Sequence, residues 1–275
     1  MFYVGASPIT ETFNVVGAIF EIKNANVWRG DTLALKDFSL TLEHAQSVAI
    51  LGPNGAGKST FLKLLTGEVR PAAEPATRCL LFNEELWSLM EIRHRIGVVM
   101  PEEVSRFDAD ELTRDAVLSS LRGAYGRTRD MRFSGQEKAR AAESMDLMGV
   151  SGLAEREFGT LSSGERRRIL IARALVHQPE VLVLDEPSTA LDFSAALQLG
   201  ATLRTLMQAG RDLILVTHHP AEIPPEIGRV ILLKEGRIFA DGDKRQIITR
   251  ANLRELYHAD LTVRWSGGWC DVRAK

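Results

Sequence analysis

The chain has 275 residues, 45% of them hydrophobic, 25% charged and 7% aromatic, the balance of a globular protein large enough to bury one substantial core. Thirty-four basic against 36 acidic residues leave a formal net charge of −2, which gives no electrostatic case for nucleic acid or an anionic membrane surface. Two cysteines without paired spacing, Cys79 and Cys270, exclude a disulfide framework and a cysteine-based zinc site and suit a reducing cytosol.

The opening "MFYVGASPITETFN" has no basic segment followed by an apolar core, so it does not read as a secretion signal. Residues 1–17 are expected to form an irregular extension. No apolar run approaches the roughly 18 residues of a membrane span, so work at a membrane would require another chain to do the spanning. From Ala18 to Leu42, "VGAIFEIKNANVW" and "LALKDFSLTL" alternate with period two, as half-buried antiparallel strands do. "SVAIL" (47–51) is almost continuously apolar, as expected of a strand covered on both faces. A glycine-rich turn and the helix "KSTFLKLLTG" follow, then a proline-punctuated loop, "RPAAEPATR". "CLLF" and "IGVVM" predict short strands, with "SLMEIRHR" a helix between them.

Residues 105–177 predict a helical subdomain. "DADELTRDAVLSSL" and "SGQEKARAAESMDLMGV" carry apolar residues at helical spacing and begin with Asp or Ser capping candidates. Beyond Pro179, "VLVLD", "AALQLGATLRTLMQAG" and "DLILVT" restore the strand–helix–strand rhythm of a parallel sheet. "KEGR" (234–237) joins two short strands. Residues 243–275 form a C-terminal extension, with a hairpin turning at Gly267–Gly268 in "LTVRWSGGWCDVR". The fold class is therefore α/β: one domain with a mixed-sheet core, an antiparallel β subdomain and an inserted α-helical subdomain.

Chemistry concentrates at three strand ends. "GPNGAGKST" (52–60) directly follows "SVAIL" and matches the phosphate-loop pattern G-x-x-x-x-G-K-[ST]. Gly52, Gly55 and Gly57 permit backbone conformations that aim successive N–H groups at a phosphate, and a helix starting near Gly57 adds its positive end. Lys58 would neutralise the β- and γ-phosphates and the Ser59 hydroxyl would ligate Mg²⁺; Asn54 and Thr60 belong to the same binding loop. The competing reading is a glycine turn opening an amphipathic helix, but the position between a buried strand and a helix is the context the motif demands. "VLVLDEP" (181–187) carries Asp185 to the carboxyl end of a buried strand, where ligands bind in such sheets. There Asp185 would hold Mg²⁺ through water. Glu186, one residue on, points elsewhere and is the candidate to polarise the attacking water. Alone, an Asp-Glu strand end is usually a solvated edge; downstream of a phosphate loop it gains a function. "LILVTHHP" (213–220) places His218 where it could contact the γ-phosphate and link it to Glu186, with His219 the second choice. A histidine there could also simply cap the strand or pack in a pocket.

In this order, the phosphate loop, "LSSGE" (161–165), "LVLDEP" (182–187), "TALD" (189–192) and His218 resemble the ATP-binding cassette ATPases, a class of P-loop NTPase, over about Ala18–Gly242. "LSSGE" is similar to the family's signature motif. The resemblance implies ATP hydrolysis with Mg²⁺ by a head-to-tail dimer, formed with a second copy or a similar cassette subunit. Ser162, Ser163, Gly164 and Glu165 of one molecule would close over the ATP of the other. The physics suits this: "SSGERRRILIARALVHQ" reads as a helix whose N-terminus offers free N–H groups, a hydroxyl and a favourable dipole to a γ-phosphate. The family further implies that Asp192 lies in the dimer-contact loop and that Trp28 stacks on adenine, the alternative for Trp28 being a core or rim position. A single cassette without a membrane segment implies an ATP-binding subunit on the cytoplasmic face, partnered by membrane-spanning transporter subunits. The alternative is a non-transport ATPase acting on ribosomes or DNA, against which the short insertion and slightly negative charge argue. A regulator without turnover is opposed by the Asp185–Glu186 pair.

Three features depart from the family pattern. Pro101, followed by Glu102 and Glu103, occupies the place of a glutamine that senses Mg²⁺ and the partner; either Glu102 substitutes or the coupling differs. The signature has Ser163 for glycine and Glu165 for glutamine, although Glu165 in the first helical turn suits the dipole. "VTHHPAEIPPEI" is similar to a stretch of molybdate-transport-like ATPases. At least two of Arg166, Arg167 and Arg168 are expected to be solvated or paired with neighbouring carboxylates, and none reads as an arginine finger.

Overall fold

The computed structural model describes residues 17–275, so the expected N-terminal extension lies outside the described residues except for Gly17. β1 (Ala18–Arg29) and β2 (Thr32–Glu43) form a long antiparallel pair. Their alternation turns Phe20, Ile22, Val27, Leu35, Leu40 and Leu42 inward. β3 (Val48–Leu51) belongs to the main sheet and leads through the glycine-rich loop into α1 (Lys58–Leu65). β4 (Arg78–Leu81) returns to pair with β1, completing a three-stranded antiparallel sheet. α2 (Leu89–Arg95) starts at a Ser88–Glu91 capping box and feeds β5 (Ile96–Val99).

After a 3-10 turn at Pro101–Arg106 come α3 (Thr113–Leu118), α4 (Gly135–Leu147) and α5 (Ser163–Leu175). β6 (Val181–Asp185), α6 (Phe193–Gln208) and β7 (Asp212–Thr217) then re-enter the sheet, followed by β8 (Arg229–Lys234) and β9 (Arg237–Asp243). α7 (Lys244–Ile247), α8 (Arg250–Tyr257) and the hairpin of β10 (Leu261–Ser266) with β11 (Trp269–Ala274) close the chain. The hairpin turns at Gly267 (φ 55°) and Gly268 (φ 83°), the two positive φ values a two-residue turn requires.

The main sheet has the order β5-β6-β7-β3-β8-β9, parallel throughout except for the β8–β9 hairpin. Its central strands have no exposed residue because both faces are covered. Period two then divides them between two cores. Ala49, Leu51, Leu184, Leu215 and Leu232 pack with α5, α6 and the helical region. Val48, Ile50, Val183, Val216 and Ile231 pack with α1 and the antiparallel sheet.

The helical region differs from expectation at its start. α3 is only six residues long, and neither Asp108 nor Asp110 caps it; its N-cap is Leu112, without a side-chain bond. The backbone there is committed elsewhere: Thr113 and Arg114 N–H donate to the carbonyls of Arg156 and Ala154, and Phe158 N–H donates to Glu111. Tertiary pairing thus removes the first turn that the local pattern favours. α4 starts as expected, with Ser134 and Glu137 in a capping box. Buried Arg173 donates to the carbonyls of Ala116 and Ala124, fastening α5 to this region. Cys79 and Cys270 are free thiols. Among the described residues no helix is long and apolar enough to cross a membrane.

Candidate active site

The phosphate-loop pattern folds as its spacing predicts. β3 ends at Leu51 and α1 begins at Lys58, with Gly57 as N-cap at φ 106°. A Cβ at Gly57 would lie 2.8 Å from Leu35 Cδ2 and 3.1 Å from the Ala34 carbonyl oxygen, so both conformation and space demand glycine. α1 has no side-chain cap and no acidic residue in its first turn, which leaves its first N–H groups and positive end uncompensated. Buried Lys58 donates from Nζ to the carbonyls of Gly52 (2.8 Å) and Pro53 (3.2 Å), and Nζ lies 3.7 Å from Glu186 Oε1. Burial lowers the Lys58 pKa, while Glu186 and Asp185 hold its charge in place.

A cavity of about 570 Å³ opens beside this loop. Asn54, Gly55, Gly57, Lys58, Ser59 and Thr60 line it, together with Asp185, Glu186, Pro101 and Glu102. Glu186 does not point away from Asp185 as strand alternation predicts. Its backbone is left-handed (φ 43°), its N–H donates to the Val216 carbonyl, and both carboxylates therefore face one cavity. Such a conformation in a non-glycine residue persists only where surrounding bonds fix it. His218 Nδ1 lies 2.9 Å from Glu186 Oε1. The carboxylate accepts, so Nδ1 carries the hydrogen. Burial pushes the Asp185 carboxyl up to about 6, with repulsion from Glu186 and Glu102 adding to the effect and Lys58 and Arg167 opposing it.

The structure separates the two carboxylates that follow Pro101. Glu102 lines the cavity. Glu103 turns into the helical region, accepting from Met100 N–H (3.0 Å) and Tyr125 Oη (2.6 Å). The arginine triplet also divides. Arg166 donates to the carbonyls of Phe158 and Gly159 and Arg168 is not buried, whereas Arg167 is only 4% exposed and its buried Nη1 has no hydrogen-bond partner among the described residues. Burial lowers its pKa, against the opposing charges of Glu103, Asp185 and Glu102. Nothing in the local sequence distinguishes Arg167 from its neighbours; only the helix's rotational setting does.

The remaining predicted residues lie outside this cavity. Ser162 caps α5: its Oγ accepts from Glu165 N–H (3.3 Å), and Glu165 Oε2 accepts from Ser162 N–H (2.7 Å). That bond holds the Glu165 carboxyl below its usual range. Ser163 and Gly164 open the helix, and a Cβ at Gly164 would sit 2.7 Å from Ala195 Cβ on α6. Asp192 caps α6, with Oδ1 accepting from Ala195 N–H (2.7 Å). The signature turn and the Asp192 turn therefore meet at Ala195. Trp28 is half-exposed; its strand partner Leu33 lines the cavity, but the indole does not. Gly52 lies beneath the cavity through its carbonyl bond to Lys58.

The donor set fits Mg²⁺. Among the described residues there is no cluster of three or more His, Cys, Asp or Glu placed to hold a metal by themselves. The cavity instead offers the hard oxygens of Ser59 and Asp185, and Mg²⁺ completes its shell with substrate phosphates and water rather than with a protein cage.

Residues 35–189 match the family model described as ABC transporter. The cobalt import ATP-binding protein CbiO of Rhodobacter capsulatus is 34% identical over 82% of this chain and 79% of its own length. The Nod factor export ATP-binding protein I of Burkholderia lata is 33% identical over 88% of this chain and 78% of its own. Among solved structures, the bacterial ABC transporter cassette MJ0796, described as dimeric, superposes with a TM-score of 0.68 at 27% identity, covering 82% of this chain and 99% of that one. With the phosphate loop, the paired carboxylates and the capped signature helix in one α/β cassette, the chain belongs to the ABC transporter family, as an ATP-binding subunit that hydrolyses ATP.

Proposed function

We propose that this subunit hydrolyses ATP in the cavity beside the phosphate loop and thereby drives a membrane-embedded transporter, with Glu186 as the group that activates water. The observation that carries this reading is the placement of Glu186: one carboxylate oxygen 2.9 Å from His218 Nδ1 and 3.7 Å from Lys58 Nζ, in the cavity that the phosphate loop lines. Lys58 and the first N–H groups of α1 hold the β- and γ-phosphates. Ser59 and Asp185 would hold Mg²⁺, which when bound would neutralise charge on the phosphate oxygens. Glu186 accepts a hydrogen bond from the water aligned with the γ-phosphorus and takes up its proton as the new P–O bond forms and the bond to ADP breaks. His218 fixes Glu186 through Nδ1–H and directs Nε2 towards the γ-phosphate.

Ser162, Ser163, Gly164 and Glu165 lie outside their own chain's cavity, and in this reading they close over the ATP of a second copy or a similar cassette, with Asp192 beside them. Trp28 stacks on the adenine near the cavity rim, a contact worth about 1–3 kcal/mol in nucleic-acid sites. The membrane-spanning subunits are separate chains, and the cassette works at the cytoplasmic face. Cobalt import and Nod factor export, the activities in the names of the two relatives, share no cargo chemistry. The cargo is thus a property of the spanning subunits and not of these motifs. Glu186→Gln is expected to bind ATP, lose hydrolysis and accumulate as a dimer with ATP and Mg²⁺ in sedimentation. Hydrolysis at the parental rate would remove Glu186 from the mechanism. Co-purification with a multi-span membrane protein is expected; recovery without any such partner would count against the transport role.

A further inference from the structure

The C-terminal segment takes no part in the cavity, yet it holds the loop that carries His218. α8 is capped by Thr249 and anchored by buried Leu253 and Leu256, and it ends at Tyr257. The Tyr257 hydroxyl donates to the His218 carbonyl at 2.9 Å. Burial raises the phenol's pKa, so the hydroxyl remains a donor. The rest of the loop is held from the same side. Lys244 Nζ donates to the Pro224 carbonyl (2.8 Å), β11 packs against the 3-10 turn Pro220–Glu222, and Gly268 approaches Pro225 so closely that a Cβ would lie 2.8 Å from the proline's. Pro220, Pro224 and Pro225 stiffen the intervening chain. The proline-rich stretch after the histidine thus serves as a bracing surface inside the molecule.

We propose that Tyr257 is a positioning residue for ATP hydrolysis: by fixing the His218 backbone it sets the imidazole against Glu186, and so connects the C-terminal segment to the nucleotide site. A continuous path supports this, from Tyr257 Oη to His218 O, then from His218 Nδ1 to Glu186 Oε1. The left-handed Glu186 backbone needs such external restraint, because its conformation is intrinsically unfavourable. Near-attack geometry is steeply sensitive to displacements of this kind.

The inference rests on the proposed function, and the test separates the two. In single-turnover hydrolysis by the full chain, Tyr257→Phe is expected to slow the chemical step about 5–10-fold, the effect of one lost hydrogen bond, with the KM for ATP within about twofold. In a His218→Ala background the same substitution is expected to have no further effect on rate, although it lowers the melting temperature equally in both. A merely structural role would slow both backgrounds alike, and that result overturns the proposal, as does a parental rate in Tyr257→Phe. Should that variant fail to fold, 4-fluorophenylalanine at position 257 fills the same space without the donor; an unchanged rate then overturns the proposal. A parent chain that hydrolyses no ATP refutes the proposed function itself.

Discussion

Asp185→Asn isolates the tension between stability and function at this site. Asp185 ends a buried strand among like charges, and its carboxyl rises from 3.8 to about 6, chiefly through burial, then through Glu186 and Glu102. Below pH 3.8 both folded and unfolded chains hold the proton, and ionisation contributes nothing. Between 3.8 and about 6 the folded state keeps a proton that the unfolded state has lost, so stability falls as pH rises through that window. Above it the full penalty applies, at most about 3 kcal/mol at 1.36 kcal/mol per pH unit. Asparagine preserves the shape and carries no charge. In the absence of nucleotide and Mg²⁺, Asp185→Asn is therefore expected to melt higher than the parent near neutral pH. A full 3 kcal/mol corresponds to roughly 6–12 °C for a domain of this size. Residual solvation of Asp185 reduces the expected gain to about 3–8 °C. Near pH 5 the advantage should be about half its neutral value, from the same two pKa values. Mg²⁺ with ATP should narrow it further, because the parent gains the ligand linkage and the variant does not. Thermal unfolding in EDTA across this pH range is the assay. A variant no more stable than the parent at neutral pH, or one whose advantage grows as pH falls, would refute the reasoning.

Three further outcomes are expected. Glu165→Gln retains the capping geometry with Ser162 while removing a negative charge from the surface proposed to meet the partner's γ-phosphate, so ATP-dependent dimerisation should tighten about 3–10-fold; sedimentation in the Glu186→Gln background measures it, and unchanged or weaker association contradicts it. Glu102→Gln removes one carboxylate that raises the Asp185 pKa, so the acid limb of the hydrolysis profile should move to lower pH; an unmoved limb places Glu102 outside the metal-binding electrostatics. Gly57→Val forces a side chain into 2.8 Å contact with Leu35 at φ 106°, and should lose ATP binding and about 2 kcal/mol or more of stability, read by nucleotide titration and denaturant unfolding.

Much of the site is legible without coordinates because its chemistry is local in sequence. Nine consecutive residues form the phosphate loop, and an apolar strand necessarily delivers Asp185 to its end. The same holds for α5, where Ser162 and Glu165 stand three residues apart and close a capping box regardless of what surrounds them. Local reasoning fails where long-range contacts override it. α3 lost its expected first turn to backbone pairing with residues 154–158, and Glu186 was turned back towards Asp185 by its bond to Val216 on the neighbouring strand. Period and spacing contain no term for either partner.

By itself, then, the sequence determined the α/β class, the phosphate loop, the acidic strand end and the family, since each depends on residues within one element or on the order of elements. Tertiary structure alone decided which carboxylate after Pro101 faces the cavity, which arginine of three is buried, and that a tyrosine 39 residues beyond His218 holds its backbone. These depend on the rotational setting of helices and on contacts between distant segments, which no local pattern encodes.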